Sequence, residues 1–349
     1  MAINKKEVFA LDIGSASVKA VKLADESEVV IEKFAMAKLP HESIISSFME
    51  KPIISPQAVA DSVKHMLENL ALDCSDCIIA VPDLMVVVNW LSIPQKVGID
   101  MHSTVKLKLE PLLPHEVDKW FIDHQVVDDS EKNNVITEAI LQDTLLAVGG
   151  LVQELGYNPI IVDGCFFNVL NLFHDYLVDP ENKEKNIAIL TMGNESTTVS
   201  VFREGVLKIM RNISVGGGKF TKTLMSQLNV TLEEAEKLKR EGVFFLADSL
   251  SEQNKVKNYN IIKPVFGELI KELYNSFDAY LARFREFKIN EIIMTGGTAN
   301  FRNVNLAIEQ HLNIPIKKAE EIIQVESFQE LTPDDFNIIS TAVGSLMRE

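Results

Sequence analysis

A strand that runs into a glycine turn rich in small polar residues, and out again as a strand, opens each half of this chain. Leu11-Asp12-Ile13-Gly14-Ser15-Ala16-Ser17-Val18 is echoed by Leu190-Thr191-Met192-Gly193-Asn194-Glu195-Ser196-Thr197. Glycine in such a turn permits positive φ and lets a ligand come close to the backbone. Successive N–H groups, with hydroxyls such as those of Ser15 and Ser17, can then surround phosphate oxygens. Asp12, at the strand end, is placed to hold Mg2+ through water, because that ion keeps several waters and takes one or two carboxylates. Lys19 either lends the turn a positive charge or sits on a solvated strand face. Read alone, the turn is equally an ordinary hairpin, and Gly-Ser hairpins recur by chance.

Two later segments shift that balance. Ser214-Val215-Gly216-Gly217-Gly218 leads into a predicted helix starting near Lys219, which sets three glycines where a helix N-terminus meets anions. Glu291-Ile292-Ile293-Met294 reads as a buried strand running into Thr295-Gly296-Gly297-Thr298, the close backbone approach that a nucleoside needs. Four glycine turns, each after a strand and spread over both halves, point to a nucleotide more firmly than any one of them.

The chain has 349 residues, 46% of them apolar, which is more than one hydrophobic core holds. Single cores stop growing at roughly 250–300 residues, so at least two lobes are expected. The polar run Asp179–Lys185 is the clearest composition shift and marks the expected boundary. Ser55 and Pro56 announce a helix reaching Leu70. Strands at 77–81, 85–91, 120–127 and 135–141, with a short helix at 103–110, read as a small α+β unit over 76–144. The organisation expected is a first lobe of residues 1–75 and 145–180, the unit 76–144 inserted in it, and a second lobe of 181–349. Within the last, about 219–262 form a small subdomain.

A formal charge of −16 argues against nucleic acid as the main partner and against broad docking on anionic lipid. Cys74, Cys77 and Cys165 are too few for a disulfide framework. The Cys74–Cys77 spacing lacks the second pair or nearby histidines of a zinc site, and reads as reduced thiols beside a strand. The apolar segment from Cys77 to Pro94 is broken by Pro82, Asp83 and Asn89, so it fails as a membrane span of about 20 residues. The N-terminus shows no signal-peptide pattern. These features lead us to expect a cytoplasmic protein that touches a membrane only through a partner.

At this point the chain resembles the PilM family of type IV pilus assembly proteins, within the FtsA/PilM branch of the actin-like ATPases. The resemblance covers nearly the whole chain. It rests on Asp12–Leu23, Leu113-Pro114 with Asp123–Val127, Met192–Thr198, Ser214–Gly218, Leu232–Lys239 and Thr295–Thr298. It implies an α/β, actin-like (ribonuclease-H-like) fold, with duplicated lobes around a nucleotide cleft holding ATP and Mg2+. Asp12 to Lys19 then match the first phosphate loop. Gly193, Asn194, Ser196 and Thr197 match the second, with Gly216, Gly217 and Gly218 beside them. Glu236 and Lys239 match the helix that holds ribose and adenine, and Gly296, Gly297 and Thr298 the adenosine loop. Without the resemblance, Glu236 and Lys239 read more readily as a solvated helix face with i,i+3 charges.

Two departures bear on catalysis. Thr191 stands where many relatives carry an aspartate, and Cys165 where a water-orienting glutamate often begins a helix. In-line phosphoryl transfer depends on such positioning groups. Little or no ATP hydrolysis is therefore expected, with Asp163 the remaining candidate for a catalytic role. Gly149 and Gly150, inside a predicted helix, cost roughly 1 kcal/mol each relative to alanine and ask for a tight contact or a hinge. The family implies an adaptor that binds the N-terminal cytoplasmic peptide of a PilN-like inner-membrane protein. The alternatives are an active ATPase or kinase of the same fold, and a filament-forming FtsA-like protein. Self-association stays open, while the C-terminal Thr341–Glu349 lacks a basic amphipathic extension for direct membrane docking.

Overall fold

The computed structural model describes residues 7–24, 29–47, 52–94, 100–128, 132–242 and 253–348. The tip of the loop expected between 128 and 134, and part of the subdomain expected at 219–262, lie outside the described residues.

Period-two apolar patterning makes the opening strands β1 (Val8–Ile13), β2 (Ser17–Leu23) and β3 (Val30–Lys38). Helix α1 (Pro56–Leu70) buries Val59, Val63, Met66, Leu67 and Leu70 on one face. Proline starts it as expected, but Ser55 makes no side-chain cap bond. Then come β4 (Asp76–Val81), β5 (Val86–Pro94), α2 (Met101–Leu109), β6 (Trp120–Asp128) and β7 (Lys132–Leu141). Helices α3 (Gln142–Glu154) and α4 (Cys165–Val178) flank β8 (Asn158–Gly164). The later part holds β9 (Ile187–Met192), β10 (Thr197–Arg203), β11 (Val206–Ile213), α5 (Gly217–Leu228), α6 (Leu232–Gly242) and α7 (Gln253–Phe284). It closes with β12 (Glu291–Thr295), α8 (Val304–Leu312), β13 (Ile316–Lys318), β14 (Glu326–Ser327) and α9 (Pro333–Leu346).

The described residues form three sheets, ordered β14-β3-β2-β1-β4-β8, β11-β10-β9-β12-β13 and β5-β7-β6. Parallel pairing of β1 with β4 and of β9 with β12 buries these strands on both faces, which accounts for their continuous apolar runs. The chain forms two compact units, one from described residues within Met1–Ala20 and Ala35–Phe167, the other within Val21–Phe34 and Asn168–Glu349.

In the first unit, Phe9, Leu11, Ile79, Val81 and Val152 belong to one core. The antiparallel β5-β7-β6 sheet and α2 close a separate core around Ile93, Val105, Trp120 and Val135. Cys74, Cys77 and Cys165 are not joined in disulfides. In α3, a Cβ at Gly149 would only touch Pro159 at 3.9 Å, and one at Gly150 would meet nothing within 4 Å. Tight packing therefore does not explain these two glycines. In the second unit, Leu190, Val201, Phe220, Phe266, Tyr280 and Met294 are part of one core.

Candidate functional site

On the first unit, β1 delivers Asp12 to its turn with only 4% of its surface exposed. The Gly14 N–H donates to the Ser17 carbonyl at 3.1 Å and closes the turn, leaving Ser15 and Ala16 at its tip. Lys19 does not stand on a solvated face. Its Nζ lies 2.9 Å from Asp12 Oδ2, and its side chain is largely covered. A Cβ at Gly14 would come 2.9 Å from that Nζ and 3.1 Å from the Ser17 carbonyl, so glycine keeps the space the ammonium needs.

Cys165 Sγ sits 3.9 Å from Asp12 Oδ1 on the other flank. Burial, aided by the charges of Asp12 and Asp83, pushes the Cys165 thiol up and keeps it neutral. Two acidic residues that chain order conceals also meet here. Glu138 Oε1 accepts from the Gly164 N–H at 2.7 Å, and Asp83 Oδ1 accepts from the Phe166 N–H at 2.7 Å. Asp83 thereby satisfies an orphan donor at the start of α4. Asp163 hydrogen-bonds Glu138 at the end of β8. Glu138 belongs to no local motif and Asp83 reads only as a break in an apolar run, so sequence reading placed neither in the site.

On the second unit, the turn after β9 repeats the first. The Gly193 N–H donates to the Ser196 carbonyl at 2.9 Å, the same four-residue closure as Gly14 to Ser17. Its carbonyl in turn accepts the Gly217 N–H at 2.9 Å and the Thr298 hydroxyl at 2.7 Å. The Gly218 N–H donates to the Asn194 carbonyl at 2.7 Å. Three turns that are far apart in the chain are thus pinned to one another through backbone groups and the Thr298 hydroxyl. Helix α5 begins at Gly217, two residues before the expected start, which puts Gly217 and Gly218 in its first turn.

Glycine is required at two of these places. A Cβ at Gly216 would lie 2.5 Å from the Asn194 carbonyl oxygen, and Gly296 has φ of 92° with the Met192 carbonyl 2.6 Å from its Cβ position. Gly297 follows, exposed, and opens the short turn in which Thr298 is buried. Thr197 is fully buried and donates its hydroxyl to the Val215 carbonyl at 2.7 Å, so it braces the turn from behind.

Lys239 is likewise internal. Its Nζ lies 2.6 Å from Glu236 Oε1, 3.1 Å from the Gly217 carbonyl and 4.6 Å from the centre of the Phe301 ring. Burial holds its ammonium below the usual lysine value, partly offset by Glu236. Thr221, which sequence reading missed, donates to Glu236 Oε1 at 2.6 Å. Glu236 keeps 31% of its side-chain surface exposed while Lys239 keeps 3%, so the lysine positions the carboxylate from below.

A family model described as type IV pilus assembly protein PilM matches residues 10–343. The chain belongs to the PilM family. It is 21% identical to the cell division protein FtsA of Staphylococcus epidermidis over 340 residues, covering 88% of this chain and 73% of FtsA. Among solved structures, the PilM-PilN type IV pilus biogenesis complex matches with a TM-score of 0.82 at 20% identity, over 97% of each chain. MreB 5 of Spiroplasma citri, solved with AMPPNP, matches with a TM-score of 0.51 at 12% identity, over 96% of this chain and 94% of MreB 5. The PilM family member described here therefore has the actin-like ATPase fold. No helix among its described residues is long and apolar enough to cross a membrane.

Proposed function

We propose that this PilM family member is an ATP-holding cytoplasmic adaptor of a type IV pilus or related secretion platform, peripheral to the inner membrane. Its partner in this reading is the N-terminal cytoplasmic peptide of a PilN-like protein. The observation that carries the nucleotide part is the convergence on the Gly193 carbonyl of Gly217 and Thr298, beside the Glu236–Lys239 pair.

The residues fit the ligand. A cation-held but still accessible Glu236 carboxylate suits ribose hydroxyls, and exposed Gly297 leaves room for a base. The positive end of α5 at Gly216–Gly218 suits phosphate oxygens, with Asn194 and Ser196 as neighbouring polar groups, while the N–H groups of Gly193, Gly217 and Gly218 are spent on closing the turns. On the first unit, the Gly14–Ser17 turn presents Ser15 and Ala16 at its tip, and Lys19 a compensating charge. Asp12 supplies the carboxylate for Mg2+ through water. Bound Mg2+ would neutralise phosphate charge.

The chain's own groups favour holding over turnover. The Cys165 thiol is neutral, Thr191 carries no charge, and Asp163 is engaged with Glu138. ATP that binds only the folded state stabilises it by RT ln(1 + [L]/Kd) without being consumed. Resemblance to the chain in the PilM-PilN complex supports the choice of partner. Titrating a PilN-like N-terminal peptide into the protein with ATP and Mg2+ tests the adaptor, and nucleotide co-purifying with the protein tests the ligand. Absence of peptide binding under those conditions would sink the adaptor reading.

A further inference from the structure

The small β5-β7-β6 sheet is fastened to the β8–α4 junction through side chains rather than through a shared strand ladder. Glu138, midway along β7, reaches the Gly164 N–H at 2.7 Å and shares a hydrogen bond with Asp163. Gly164 is shaped for this contact, since a Cβ there would lie 2.8 Å from Glu138 Oε1 and 2.9 Å from Val86 Cγ2. The titratable groups around Glu138 are Asp163 on β8, Asp83 after β4, Asp123 opposite it on β6 and the Cys165 thiol at the start of α4. None of them brings a positive charge. Two carboxylates sharing one hydrogen bond need a proton between them, and a second negative charge there would repel the first.

We infer that Glu138 is a titratable tie, which fastens the three-stranded sheet to the β8–α4 junction while it carries its proton and loosens that sheet when the proton leaves. Burial and the Asp163 charge raise the Glu138 carboxyl well above its ordinary value, and the Gly164 N–H, which favours the ionised form, offsets them only in part. A group raised in the folded state gives its full contribution below the ordinary carboxylate value of about 4.3, and loses it as pH rises through the raised value. The tie therefore holds in acid and slackens towards alkaline pH. It also ends one residue from Cys165, which touches Asp12. Loosening is thereby passed to the first glycine turn, a consequence that rests on the nucleotide reading, whereas the tie itself does not.

The test uses the full chain without nucleotide, as wild type, Glu138→Gln and Glu138→Ala. Glutamine keeps an acceptor for Gly164 and a donor for Asp163 but cannot ionise. Hydrogen exchange of β5 and β7 amides, corrected for intrinsic pH dependence, should rise at least about fivefold in the wild type from the ordinary carboxylate range to the most alkaline pH at which the fold stays intact. Glu138→Gln should stay protected at both values and Glu138→Ala at neither. The chain's two tryptophans, Trp90 on β5 and Trp120 on β6, lie on this sheet, so intrinsic fluorescence follows the same event. Equal pH dependence in wild type and Glu138→Gln would overturn the proposal, as would wild-type protection in Glu138→Ala at low pH. A second arm measures ATP–Mg2+ affinity at the two pH values. Flat affinity alongside pH-dependent exchange would remove the link to the turn and leave the tie.

Discussion

The Lys19 ammonium lies 2.9 Å from the Asp12 carboxylate inside the first glycine turn. Each ion neutralises the other in a place that water barely reaches, so removing one charge strands its partner. Asp12→Asn should lower unfolding free energy by up to about 3 kcal/mol, read by urea denaturation. It should also abolish the metal-dependent part of ATP binding. Calorimetric titration with and without EDTA reads that part, and an EDTA effect as large in the variant as in wild type would move the metal elsewhere.

Glu236 is held from below by Lys239 and Thr221, at 2.6 Å each. If it receives a ribose hydroxyl, Glu236→Ala should weaken ATP at least tenfold, about 1.4 kcal/mol, while leaving inorganic tripolyphosphate unchanged. Equal losses for both ligands would mean that the carboxylate shapes the phosphate side instead.

Two glycines make a matched pair of stability tests. Gly296→Ala meets both positive φ and the Met192 carbonyl, and should cost about 1–3 kcal/mol. Gly150→Ala meets open space within a helix and should gain roughly 1 kcal/mol. Thermal unfolding of the two variants should therefore move in opposite directions, and loss of stability in Gly150→Ala would show that α3 needs its glycine.

ADP release should be far slower than the roughly 1–100 s⁻¹ of kinases. A coupled assay on the purified protein measures this. Turnover within that range would overturn the adaptor reading, and it would assign catalysis to groups such as Asp163 and Glu138.

The strands and their glycine turns were legible because β periodicity and backbone freedom are local properties. Gly14 and Gly193 even share the same closure onto a serine three residues on. The direction in which a side chain points was less legible. Thr197 turned its hydroxyl into the core, and Lys19 curled back to Asp12, because each answered a partner that the pattern of one strand cannot contain. Glu138 and Asp83 reach their amides across 26 and 83 residues of chain, where nothing local announces them. Thr221 escaped notice for the same reason, lying 15 residues from the Glu236 it supports.

Strand β14 pairs in parallel with β3, through Glu326 with Val30 and Ser327 with Ile31, and Gln329 accepts the Phe34 N–H at 2.7 Å. All of these residues belong to the second unit, which therefore draws on an early segment, within Val21–Phe34, and on one about 295 residues later. During synthesis β3 leaves the ribosome long before the residues that complete its edge, and must wait with that edge open. Long-range pairing of this kind slows folding and lengthens the time that an unpaired strand is exposed. A stop codon anywhere before residue 326 would leave a chain unable to finish its own edge, however intact its two glycine turns.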